Sequence, residues 1–222
     1  MQDSGTEYLL SLLDDAIRVI NKDYLGEDTP FVSYSVEQKV EEKTETKKLS
    51  LRDMYLNCHS CDNWMCRDHR CLVGRGSQHP LVLFVVDKTL DTGAMVSPDE
   101  GVMLNTWSNA IKLDKSQECH LTSIIKCPGS CNEVNSDCIN ILKKQVEVLK
   151  PKVVFFLGPL GAQILGYDSI EKAREQVLSF GDSVAVVSYS PSQVQKDPRL
   201  KNLIWNDLKK VAFYAGIKER RC

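Results

Sequence analysis

Lys152-Val153-Val154-Phe155-Phe156-Leu157-Gly158-Pro159 decides the fold class of this 222-residue chain. After its lysine the run is apolar without interruption, so it lacks the polar-out alternation of a strand with one wet face. Continuous apolar strands belong to parallel sheets covered by helices on both faces. Gly158-Pro159 then turns the chain into a short helix, with proline at the first helical position. The same strand pattern recurs in Pro80-Leu81-Val82-Leu83-Phe84-Val85-Val86 and over residues 121–125 and 183–187. Helical periodicity fills the intervals, over residues 99–111 and 136–149 and finally over 200–215. In the second of these Ile139, Leu142, Val146 and Leu149 share one face, and Ser136 is placed as its cap. The alternation predicts an α/β three-layer sandwich around a central, mostly parallel, four-stranded sheet. Ligands of such sheets bind beyond the carboxyl ends of the strands. Those ends are Asp87, Lys126-Cys127, Gly158 and Ser188-Tyr189-Ser190.

Outside this core the chain changes character. Leu9, Leu10, Leu12, Leu13, Ile17 and Ile20 recur at helical spacing, and residues 21–50 are polar and rich in Glu, Lys and Thr. Residues 1–49 are therefore expected to be an N-terminal helix and charged linker, 50–216 a compact domain, and 217–222 a basic tail. Ser50 is placed to cap a short helix over residues 51–57. An apolar fraction of 42% supports a sizeable core, while a net charge of −2 excludes a strongly basic nucleic-acid binder. Met1-Gln2-Asp3-Ser4 lacks a basic leader, and no run approaches the roughly 18 apolar residues of a membrane span. A cytoplasmic protein without membrane contact is predicted.

Nine cysteines are many for a reducing compartment, and an odd number fits complete disulfide pairing poorly. Metal ligation is the natural use. Cys58-x-x-Cys61 offers two thiolates to one centre, and Cys127 and Cys138 flank a loop able to fold back on itself. Soft thiolates favour zinc or an iron–sulfur cluster over hard cations, and spacing alone does not choose between these two. Cys131 competes with Cys138 as the fourth ligand. Cys66, Cys71, Cys119 and Cys222 are left over, with His69 beside Cys66 and Cys71 as an alternative ligand. His59, His79 and His120 read as surface or internally satisfied histidines.

With the cysteines placed, residues 51–211 resemble the family-four uracil-DNA glycosylases. Cys58-x-x-Cys61, Arg67 and Gly74-Arg75-Gly76 are similar to that family's opening motif. Phe84-Val85-Val86-Asp87 is similar to its FVGE strand, and Lys126-Cys127-Pro128 to its KCRPP motif. Cys138-x3-Leu142-x2-Gln145-x5-Pro151, then Val153 to Gly158, has its spacing from the fourth cysteine to the LG turn. Ser190-Pro191-Ser192 stands where the family has HPS, and Trp205-x-Asp207-Leu208 resembles its closing helix. The resemblance implies a uracil-DNA glycosylase-like fold and a 4Fe-4S cluster on Cys58, Cys61, Cys127 and Cys138. It also selects Cys138 over Cys131.

The family removes uracil from DNA after flipping the base out of the duplex. A ring stacks on the base, an Asn reads its edge, a His stabilises charge on it, and a carboxylate assists. This sequence departs at each position. GEAPG reads Val86-Asp87-Lys88-Thr89-Leu90, so the carboxylate survives only as the shorter Asp87. The stacking ring becomes Val96, the reading Asn becomes Ser123, and the His becomes Ser190. A lost stacking ring costs roughly 1–3 kcal/mol and a lost oxyanion donor about 2.7–4 kcal/mol. The expectation is thus a DNA-repair-related pseudoenzyme that binds nucleic acid weakly and salt-dependently, or a protein partner. Lys88, Lys126 and Ser192 are the candidate nucleic-acid contacts. A divergent active glycosylase and a redox or small-molecule-binding protein reusing the fold are the alternatives.

Overall fold

The computed structural model describes residues 50–61, 73–129 and 133–217. Residues 1–49 and 218–222 lie outside the described residues, as do Arg67, His69, Cys66, Cys71, Cys131 and Cys222. In chain order the elements are α1 (Leu51–Leu56), β1 (Arg75–Gly76), β2 (Val82–Lys88), α2 (Pro98–Ala110) and β3 (Cys119–Ile125). Then come α3 (Ser136–Leu149), β4 (Val153–Leu157), α4 (Pro159–Ile164), α5 (Ile170–Arg174) and β5 (Leu178–Phe180). The chain ends in β6 (Ser183–Ser188), α6 (Pro191–Lys196) and α7 (Lys201–Ala215).

The strands form one sheet in the order β1-β3-β2-β4-β6-β5. The four strands expected from sequence are the four parallel ones, β3, β2, β4 and β6. The sheet has six strands rather than four, because β1 and β5 add short antiparallel edges to β3 and β6. Two or three residues are too few to leave a periodic signature, so these edges were not predicted.

β2 and β4 pair in register from Val82 with Val153 to Val86 with Leu157. Every residue of β4 is at most 1% exposed, as its unbroken apolar run demands. Phe84 and Phe155 meet edge to face at 5.8 Å between ring centroids, and Phe156 meets Phe180 at 5.4 Å. The crossover from β2 runs one way to β3, whereas the crossover from β3 runs back over β2 to β4. Right-handed crossovers of opposite direction place α2 and α3 on opposite faces of the sheet. They also make the crevice between the ends of β2 and β4 the switch point at which ligands of such sheets bind.

Helix starts follow the local chemistry. Ser50 caps α1 in a reciprocal box with Asp53, and Ser97 does the same for α2 with Glu100, just before Pro98. For α3 the cap is Asn135 rather than the expected Ser136. Its longer side chain reaches two amides at once, those of Asp137 and Cys138, each at 3.1 Å.

Candidate metal centre and strand-end site

Three elements bring the four predicted cysteines to one place. Cys58 and Cys61 follow α1, Cys127 follows β3, and Cys138 sits in the first turn of α3. All four line one cavity, together with Tyr55, Ile124, Ile125, Lys126 and Ile141. The cap holds the arrangement: Asn135 fixes the Cys138 amide and donates its Nδ2 to the Ser60 carbonyl at 3.3 Å. The Ser60 hydroxyl also donates to Asp137. The Cys58–Cys61 loop is thereby tied to the start of α3. Burial pushes the Cys138 thiol above its ordinary range, and Cys61 and Cys58 add to the shift. No disulfide joins the described cysteines. Among the described residues no three His, Cys, Asp or Glu side chains converge closely enough to hold a single metal ion. The four cysteines line one cavity, and no Asp or Glu is among the residues that line it. Soft sulfur donors around an otherwise apolar space fit a thiolate-ligated cluster.

Cys119, the fifth described cysteine, opens β3 and does not line that cavity. Burial pushes its thiol up to about 11 despite a hydrogen bond with Ser108.

Lys126, expected to meet phosphate, is turned inward. It is 5% exposed, and its ammonium donates to Thr122 Oγ1 at 2.8 Å and to the Ser123 carbonyl at 2.7 Å. Burial pushes its pKa down to about 7, opposed by the neighbouring thiolates of Cys138 and Cys127. His120 is also buried and satisfied, with Nδ1 2.8 Å from the Ser77 carbonyl; burial lowers its pKa.

At the switch point the strand-end residues serve the protein itself. Asp87, the surviving carboxylate, lies against the start of α4. It accepts from the Leu160 amide at 3.1 Å and from the Gly161 amide. Gly158, at φ +133°, permits this approach, since a Cβ there would collide with the Asp87 carboxyl. Burial pushes the Asp87 pKa up to about 7, and the two amides only partly offset that. Ser123 is 1% exposed, with its hydroxyl 2.8 Å from that of Thr89. Ser190 caps α6 by accepting from the Gln193 amide, and its hydroxyl lies 2.9 Å from that of Ser192.

Val96 is not with these three. It lines a separate cavity between α2 and the β1–β3 edge. Sequence reasoning named Asp207 only within the closing-helix motif and gave it no role; it is buried and binds the Ser188 hydroxyl at the end of β6 at 2.6 Å. Arg174 grips the same carboxylate with two nitrogens at 3.0–3.1 Å. The only trace of this in sequence is an aspartate on the buried stripe of an amphipathic helix.

Among the described residues no helix is long and apolar enough to cross a membrane. Comparison with known proteins agrees with the fold. The family described as the uracil DNA glycosylase superfamily matches residues 76–209. A Type-4 uracil-DNA glycosylase of Archaeoglobus fulgidus is 24% identical over 184 residues, covering 74% of this chain and 91% of that protein. A family match over more than half of the chain, on a sheet with a parallel four-stranded centre, identifies the group: the chain belongs to the uracil DNA glycosylase superfamily.

Proposed function

We propose that this protein is a DNA-binding 4Fe-4S member of the superfamily that does not excise uracil. The observation that carries the reading is the fate of the strand-end groups. Ser123 is spent on Thr89, Ser190 on the start of α6, and Asp87 on the amides of α4. A hydroxyl already bonded inside the protein gives little to a flipped base, because making the new bond breaks the old one.

The cluster would be held by Cys58, Cys61, Cys127 and Cys138. Bound there it supplies a covalent staple between α1, the end of β3 and α3. The inward-facing Lys126 lies beside these cysteines and, when protonated, favours their ionised form. With Lys126 buried, Lys88 and Ser192 remain as the strand-end contacts proposed for a phosphate backbone. We place the protein in a reducing compartment such as the cytoplasm, where thiols stay available to iron.

Single-turnover assays on uracil-containing single strands, at large protein excess, test this reading, run beside fluorescence anisotropy on the same strands at two salt concentrations. No excision, together with binding that weakens steeply with salt, is expected. Excision that disappears in Asp87→Ala would overturn it. A divergent glycosylase is the second reading, and one observation favours it. Asp87 titrates at about 7, in the range suited to a general base at neutral pH.

A further inference from the structure

Two of the four candidate ligands sit on a segment with little of its own to hold it. α1 is six residues long, too short to persist as an isolated helix, and its buried residue is Tyr55. The loop that follows carries Cys58 and Cys61, which meet Cys127 and Cys138 at one cavity.

Asn135 spans the gap between that loop and α3. Its Oδ1 accepts from the Asp137 and Cys138 amides, each at 3.1 Å, and its Nδ2 donates to the Ser60 carbonyl at 3.3 Å. The network fixes which atom is which, because two backbone N–H groups need the oxygen. One side chain thus has two separable roles. The oxygen starts α3 and orients Cys138, while the nitrogen holds the loop that carries the other cysteine pair. Ser60 strengthens the link from its own side by donating its hydroxyl to Asp137. These bonds join positions 75 and 77 residues apart in sequence. Capping alone does not call for an asparagine here, since serine caps α1, α2 and α6. What serine lacks is a donor nitrogen to spare.

We propose that Asn135 is a positioning residue for the metal centre, keeping the Cys58–Cys61 loop against α3 and so slowing loss of the cluster. The inference rests on ligation by the four cysteines, as proposed above. Ligands already assembled lose less freedom when metal binds, and a metal that slips from one pair is recaptured before the loop departs.

The test compares the full-length parent with Asn135→Asp and Asn135→Ser, each reconstituted with iron and sulfide under argon. Both replacements keep a good cap for α3 and lack the donor to Ser60. Loss of visible cluster absorbance is then followed in air-equilibrated buffer with excess EDTA. Both variants should lose the cluster about tenfold faster than the parent, the effect typical of a residue that orients ligands from outside the metal's own shell. Their metal-free forms should melt at the parent's temperature. A variant that melts like the parent yet takes up no metal supports the proposal equally. Parent-like loss rates in both variants overturn it and leave the cluster reading intact. So does a lowered melting temperature of the metal-free variants, since Asn135 then supports the fold rather than the centre. If the parent holds zinc instead of iron, the cluster reading falls, and the role of Asn135 is decided by the same comparison of zinc release to a pyridylazo dye. A parent that binds neither metal overturns both.

Discussion

Asp87→Asn separates a structural carboxylate from a working one, and pH reads the difference. In the unfolded chain this carboxyl ionises near its ordinary value of 3.8, whereas in the folded protein it ionises at about 7. Between those values the unfolded state has released a proton that the folded state keeps. Stability from this group is therefore full below pH 4 and is lost as pH rises through 7. A gap of about 3 units at roughly 1.4 kcal/mol each sets an upper limit of about 4 kcal/mol. The carboxyl is only half-buried and water relaxes its surroundings, so about 2 kcal/mol is the working expectation. Asparagine keeps an oxygen for the Leu160 amide and cannot ionise. The variant should match the wild type near pH 3 and exceed it by about 2 kcal/mol at pH 8.5. Urea denaturation followed by circular dichroism at a series of pH values measures this, and subtracting the two curves removes every other titrating group. A difference that does not change with pH, or that grows in favour of the wild type as pH rises, would refute the placement of Asp87 against α4.

Asp207→Ala should destabilise by about 3–5 kcal/mol in the same assay, because it strands the largely buried Arg174 and the Ser188 hydroxyl together. Cys138→Ala should abolish visible charge-transfer absorbance and bound iron, about four per chain in the parent, whereas Cys119→Ala and Cys131→Ala should keep both. Stoichiometric zinc in the parent protein would contradict the cluster. Removal of residues 1–49 should leave the melting temperature and cluster absorbance of the compact domain nearly unchanged; a large drop in either would show that the first helix docks on it. Ser190→His should not produce uracil excision in a fluorescence-based glycosylase assay, since Ser123 and Val96 stay unsuited to hold the base.

The parallel core was legible because burial on both faces leaves an unbroken apolar run, as in Val153 to Leu157. That Cys58 and Cys61 would share a place with Cys127 was suggested by a CxxC on a polar loop, whereas the choice of Cys138 came from the family resemblance; all four line one cavity. What stayed hidden depends on contacts between residues far apart in sequence. Nothing local distinguishes an inward Lys126 from an outward one. Its direction is set by Thr122 and the Ser123 carbonyl one strand turn behind it. The reach of Asn135 to Ser60 becomes visible only when α3 is laid beside the Cys58–Cys61 loop.

The strand-end departures make a stronger case together than singly. In the sequence comparison Thr89 replaces the proline of the family's GEAPG turn, and Ser123 replaces the Asn that reads the base, 34 residues away. In the fold those two replacements meet, hydroxyl to hydroxyl at 2.8 Å, and the Thr89 amide also bonds the Ile125 carbonyl at 2.9 Å. Neither hydroxyl would be satisfied in the dry interior without the other, since Thr89 is 4% exposed and Ser123 1%. Where the resemblance places the family's Asn, this fold holds two matched buried hydroxyls rather than a hole or an unpaired group. The hydroxyl pair latches the residue after β2 to β3, beside the Lys88–Ile125 register pair. Thr89→Ala should therefore cost about 1–3 kcal/mol by orphaning Ser123, and the double change Thr89→Ala with Ser123→Ala should recover part of that loss. Additive losses in that double-mutant cycle would show that the two hydroxyls are not coupled and that the latch does not exist.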